Sequence, residues 1–126
     1  MNPEDCRYTH EHEWVRVDGE LATVGITHHA QDQLGDVVYV DLPDVGATFN
    51  QNQPFGSIDS VKTASDLFSP ISGEVVEVNG TLVNDPAIVN ADPFGEGWMI
   101  RVRQSDPAEV DSLMTANQYA EYTREA

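Results

Sequence analysis

A single lysine, Lys62, occurs in 126 residues. Lysine is ordinarily among the commonest residues, so a chain that retains one makes that position conspicuous. Cysteine is as scarce: Cys6 stands alone, which excludes a disulfide framework and a CxxC metal knuckle. No apolar run approaches the roughly 18 residues that a membrane-spanning helix needs. The first ten residues, MNPEDCRYTH, are acidic, hold no apolar stretch and are not rich in arginine or serine, so neither a secretory nor a transit segment is expected. A free thiol then suits a reducing compartment, and a bacterial-type cytoplasmic location is the expectation. A processed organelle protein would look the same.

Basic residues are few as well. Six stand against 22 acidic ones, for a net charge of −16. Such a surface repels phosphate backbones and anionic lipid, so no nucleic acid and no membrane is expected as a partner. It suits brief docking on basic mouths of other proteins, and it equally serves solubility or a salty cell. Hydrophobic residues make up 40% of the chain, enough for a core, and the length fits one domain over 1–126. No low-complexity linker divides it.

What is present reads as mainly β. "WVRVDGELATVGI" (Trp14 to Ile26) predicts a hairpin with Asp18-Gly19 at a type I′ turn. Thr27 can cap a short helix, His28 to Leu34, that stops at Gly35. "DVVYVDL", "PFGSIDSV", "GEVVEVN" and "GWMIRVR" then predict strands. In the last, Trp98, Ile100 and Val102 alternate with Met99, Arg101 and Arg103. A helical segment is expected at about 106–124. Asp106, Pro107 and Glu109 form one start signal, Thr115 and Gln118 another. Val110, Leu113 and Met114 supply an apolar stripe, and Tyr119 and Tyr122 are read as packing residues.

The strands also repeat. Gly35 to Asp41 (GDVVYVD) resembles Gly73 to Asn79 (GEVVEVN) thirty-eight residues on, and Pro54-Phe55-Gly56 recurs as Pro93-Phe94-Gly95 thirty-nine on. Two similar half-sheets about a pseudo-two-fold axis are the expected result. In this alignment Lys62 falls level with Arg101.

Lys62 opens "KTAS", small and polar, between an apolar run centred on Ile58 and another at Leu67-Phe68. Such a stretch predicts a turn between strands. An amine there projects into water, where a modifying enzyme can reach it. A lysine acting as base or Schiff-base nucleophile needs a desolvated pocket instead, and a small polar turn offers none. Uniqueness, tip position and repeat together point to an acylated carrier lysine.

At this point the residues carry a resemblance. His12-Glu13-Trp14-Val15, Ala22 to Thr27, Gln33 to Asp36, Leu42-Pro43, Ser60-Val61-Lys62, Ala64-Ser65-Asp66 and Ser72 to Val75 resemble, in order, blocks of the H proteins of the glycine cleavage system. Val89-Asn90, Asp92-Pro93 and Gly95 to Trp98 continue the match over nearly the whole length. The resemblance implies a barrel-sandwich hybrid of two small sheets, with the lysine on a hairpin near 56–70 and helices at the carboxyl end. It implies that Lys62 is amide-linked to lipoate and that the chain is a non-catalytic carrier. The arm would take the aminomethyl group of glycine from a pyridoxal-phosphate glycine decarboxylase to a folate-dependent aminomethyltransferase. Dihydrolipoyl dehydrogenase would then reoxidise it, and lipoyl-attaching enzymes would load it.

An aminomethyl group on sulfur bears an ammonium and hydrolyses readily, so it needs a sheltered, carboxylate-lined cleft. The family pattern assigns Glu13 and Asp66 to that cleft. Asp59, Ser60 and Val61 precede the lysine and are implied as the hairpin residues that enzymes recognise. Two positions depart from the pattern: Glu11 stands where serine is usual, and Asp59 where glutamate is usual.

Rival readings fare worse. His10 and His12, two apart, would share a strand face, and with His28-His29 they suggest metal; HExxH spacing is missing. Biotin carriers flank their lysine with methionine, unlike Val61 and Thr63. Lipoyl domains of 2-oxo acid dehydrogenases read Asp-Lys-Ala. An H-like protein that relays lipoate to other acceptors would look the same and stands as the alternative.

Overall fold

Runs rich in valine and isoleucine pair into two antiparallel sheets, each turning one face inward. The computed structural model describes residues 2–124. The larger sheet has six strands in the order β1 (Cys6–Tyr8), β2 (Glu13–Asp18), β3 (Leu21–Ile26), β9 (Ile100–Gln104), β8 (Gly73–Val78) and β5 (Thr48–Phe49). The smaller joins β4 (Val37–Asp41), β6 (Pro54–Ser60) and β7 (Ala64–Phe68). Val15, Val24, Ile100 and Val102 from one sheet meet Val40, Ile58 and Leu67 from the other, none more than 2% exposed. Truncating one of the larger of these, Ile58 or Leu67, to alanine costs about 2–5 kcal/mol. The expected two-sheet, mainly β architecture is what forms, and it is not a closed barrel.

The repeat is visible in the hydrogen-bond register. β4 pairs with β6 and β8 with β9, and each pair breaks register at the same place, between Val37 and Tyr39 and between Val75 and Glu77. The two bulges lie thirty-eight residues apart, as the valine blocks do. Beyond them the halves diverge. Val37 faces Ser60 while Val75 faces Val102, so the second strands correspond at forty-two residues, not thirty-nine. Arg101 is therefore the counterpart of Asp59, and Lys62 falls level with Gln104. Pro93 to Gly95 lies in a turn, whereas Pro54 to Gly56 begins a strand, so that part of the echo is not structural. The cause is the longer second connection, which holds two short helices, one over Thr81–Asn84 and one over Ile88–Ala91.

Local chemistry explains the remaining elements. Between β2 and β3 the loop residues are Gly19 and Glu20, and of these only Gly19 has positive φ (65°). That is the type II′ pattern, not the I′ turn centred on Asp18-Gly19. Helix α1 (His28–Leu34) starts where Thr27 accepts from the Ala30 N–H and ends at Gly35, as expected. The helices over 81–84 and 88–91 are α2 and α3; together with β1 and β5 they had no clear periodic signal, being two to four residues long.

At the start of β9 the alternation fails. Met99 is fully buried, whereas Trp98 turns outward under the Arg101 guanidinium, 4.4 Å from its ring centre. The backbone of Met99 bonds sideways to Val24 and Asn79. After β9, Asp106 caps a 3₁₀ turn over Pro107–Ser112. Glu109 does not close a capping box; it accepts instead from the N–H and the hydroxyl of Ser72, at 2.6 and 2.7 Å. Thr115 and Gln118 do bond reciprocally and open α4 (Ala116–Arg124). On α4, Tyr119 is fully buried and stacked on Tyr8, ring centres 4.7 Å apart, as a packing residue should be. No helix among the described residues is long and apolar enough to cross a membrane.

Candidate functional site

Lys62 occupies the middle of the turn Val61-Lys62-Thr63 that joins β6 to β7, and the turn is built by its neighbours. The Ser60 hydroxyl accepts from the N–H groups of Lys62 and Thr63, both at 3.2 Å. Ser60 also donates its own N–H to the Thr63 carbonyl at 2.8 Å. The Val61 N–H donates to the Asp36 carbonyl at 3.0 Å, tying the tip to the end of α1. Residues 61–66 are all exposed. The lysine stem passes Gly35, φ 78°, where an added Cβ would lie 3.4 Å from Lys62 Cε. Asp59, half-buried, faces Tyr39 on β4 and Ala64 on β7. Val61 is 67% exposed, and Val38 and Tyr39 beside the hairpin are similarly open, at 53% and 50%.

A cleft of about 340 Å³ opens between α1, the turn before β2, and β7. Glu13 and Asp66 both line it, with Ile26, Leu34 and Ile58 as apolar walls. Asp66 is exposed, while Glu13 is 2% exposed. Burial pushes the Glu13 carboxyl up to about 7. Two donors hold that rise in check: the Thr9 hydroxyl at 2.7 Å and the Phe68 N–H at 3.3 Å. The chain thus keeps one carboxyl buried and poised near neutrality and a second open to water, against one apolar wall. Glu11, exposed, lines the same cleft.

Sequence reasoning missed what supports Glu13. Thr9 gains its role only because the chain turns back between β1 and β2. His12 sits in that turn with φ 70°, not on a strand, so the even spacing of His10 and His12 does not put them on one face. His10 packs on Tyr122, while His12 packs on His29, ring centres 4.6 Å apart. Burial, then the neighbouring His29, lowers the pKa of His12. Its Nδ1 bonds with the Tyr119 hydroxyl at 2.8 Å, and that hydroxyl bonds with Thr27 at 2.7 Å. Among the described residues no three His, Cys, Asp or Glu side chains gather as a metal site.

The only lysine of the chain is thus displayed on an exposed, tightly held turn, open to other proteins. The paired half-sheets behind it are the frame of a carrier domain. The comparisons with known proteins agree. The family model "Glycine cleavage H-protein" matches residues 6–126. Glycine cleavage system H proteins of Bacillus subtilis and Symbiobacterium thermophilum are 55% and 54% identical over 123 residues, covering 98% of this chain and 97% and 96% of theirs. The crystal structure of a glycine cleavage system H protein from Mycobacterium marinum superposes with a TM-score of 0.90 at 41% identity, covering 98% of this chain and 99% of that one. The chain belongs to the glycine cleavage H-protein family. Its function is that of a lipoylated carrier and not of an enzyme, and relay of lipoate to other acceptors is not favoured.

Proposed function

We propose that Lys62 carries lipoate in amide linkage and that residues 1–126 act as one carrier domain around it. The observation that carries this reading is the position of the only lysine at the exposed centre of a turn whose backbone Ser60 holds fixed. The residues present fit the group. The amine is reachable by an attaching enzyme, Gly35 leaves room for the stem, and the neighbouring cleft combines apolar walls with two carboxylates. When bound, lipoate supplies a redox-active disulfide and a sulfur to which the aminomethyl fragment of glycine attaches.

The chain's own residues present, shelter and neutralise. Ser60 and the Asp36 carbonyl hold the turn, so that partners meet a preset shape. Asp59, Ser60 and Val61 form the stretch that attaching enzymes recognise, with Val61 as its exposed apolar contact. Ile26, Leu34 and Ile58 keep water from one side of the cleft, and Glu13 with Asp66 pairs an incoming ammonium. Because such a cation favours the ionised form of Glu13, occupation of the cleft releases a proton at neutral pH. The partners on this reading are a pyridoxal-phosphate glycine decarboxylase, a folate-dependent aminomethyltransferase, dihydrolipoyl dehydrogenase and the lipoyl-attaching enzymes. Tethering raises the effective concentration of the carried group at each of them, and the acidic surface steers encounter with basic entrances.

Intact mass measurement of protein from its native cells tests the assignment. One lipoyl increment, located on Lys62 by peptide mapping, is expected. Lys62→Arg should lose both the increment and glycine-dependent turnover while keeping the circular dichroism of the parent. Turnover that survives in that variant rejects the reading.

A further inference from the structure

The lysine turn rests on a step of chain, Gly35-Asp36-Val37, that links α1 to β4. Gly35 faces the Lys62 stem, and the Asp36 carbonyl accepts from the Val61 N–H at 3.0 Å. The step itself is held from elsewhere. Asn90, on α3 and half-buried, uses both ends of its amide: Oδ1 accepts from the Val37 N–H at 2.8 Å, and Nδ2 donates to the Gly35 carbonyl at 2.8 Å and to Gln31 Oε1 at 3.0 Å.

The Asp36 carbonyl and the Val37 N–H belong to one planar peptide unit. Asn90 grips one edge of that plane and Val61 is held by the other, so the plane cannot rotate without breaking both bonds. The grip on the Gly35 carbonyl fixes the preceding peptide as well. We propose that Asn90 is a positioning residue for the lysine turn: by locking the Asp36–Val37 peptide, it presents Lys62 to the attaching enzyme in one geometry. Pre-set geometry removes an ordering cost that the enzyme would otherwise meet on binding. The inference builds on the reading of Lys62 as the attachment point, although its first readout does not.

The test compares three full-length chains: wild type, Asn90→Ala, and Ser72→Ala. Ser72 bonds to Glu109 and Gln51, contacts that lie outside the lysine turn, and so controls for general loss of stability. Amide exchange of Val61 is followed by NMR, and attachment is followed with lipoate, ATP and a lipoate ligase. In Asn90→Ala the Val61 amide should exchange about tenfold faster, and kcat/KM for attachment should fall about tenfold, mainly through KM. Ser72→Ala should leave both at wild-type values. Unchanged Val61 exchange in Asn90→Ala, or equal slowing of attachment in Ser72→Ala, overturns the proposal. If Asn90→Ala does not fold, Asn90→Leu decides, since it keeps the side chain's volume and removes Oδ1 and both Nδ2 donors together. Faster Val61 exchange is expected there, and wild-type exchange overturns the proposal. A wild-type chain that takes no lipoyl group at Lys62 defeats the attachment reading instead, and leaves the exchange comparison standing.

Discussion

The Phe68 N–H donates to Oε2 of Glu13 at 3.3 Å, so the foot of the lysine hairpin is fastened to the carboxyl that lines the neighbouring cleft. One side chain therefore both anchors β7 and lines the cleft. That carboxyl is only 2% exposed, and the hydrogen bonds from Thr9 and Phe68 offset part of the cost of burying it.

That burial sets a pH dependence of stability. Burial raises the Glu13 carboxyl from 4.5 to about 7 on folding. Below pH 4.5 the group is protonated in both states. Between these values the unfolded chain gives up the proton while the folded chain keeps it, so rising pH favours unfolding. The contribution lost by pH 7 and above is about 3 kcal/mol. Glu13→Gln should flatten this part of the profile, read as the difference between wild-type and variant urea midpoints across pH 4 to 8. Parallel profiles reject the assignment.

Loss of either cleft carboxylate should shorten the life of the carried group. In protein loaded with the aminomethyl group, Glu13→Gln and Asp66→Asn each remove one charge-assisted contact, and release of ammonia should quicken about tenfold or more. Glu11→Ser, at the cleft's exposed edge, should change the rate less than either. Equal rates in all three variants and the wild type would show that the cleft does not shelter the group.

The hydroxyl of Tyr119 links His12 to Thr27 across the C-terminal helix. Tyr119→Phe keeps the ring stacked on Tyr8 but leaves the His12 Nδ1 and the Thr27 hydroxyl without that partner. A loss of about 1–3 kcal/mol in unfolding free energy is expected, measured by denaturant titration at pH 8, where His12 is neutral in both states. A variant as stable as the parent would mean that the linkage is made good by water.

Much of this was legible beforehand because it is local. Thr27, Gly35 and the alternation in Val15 to Ile26 act within a few residues of themselves, so α1 and the first hairpin follow from short-range rules. The repeat of the valine blocks was legible too, although the bulges that they share appear only in the structure. Where the reading failed, distant contacts won. Met99 is drawn inward by bonds to Val24 and Asn79, reversing the alternation at Trp98. Glu109 leaves its own helix start for Ser72. The lengthened link between β8 and β9 shifts the repeat from thirty-nine to forty-two residues.

By itself the sequence settled that one amine, Lys62, stands on a polar turn between two strands, since composition and turn chemistry need no partner to act. Only the tertiary structure decided that Glu13 is buried enough to titrate near neutrality, that Thr9 and Phe68 hold it, and that Asn90 reaches the step beneath the lysine. Desolvation and hydrogen bonding depend on which atoms the sheet registers bring within about 3 Å, and register is a property of the paired strands together.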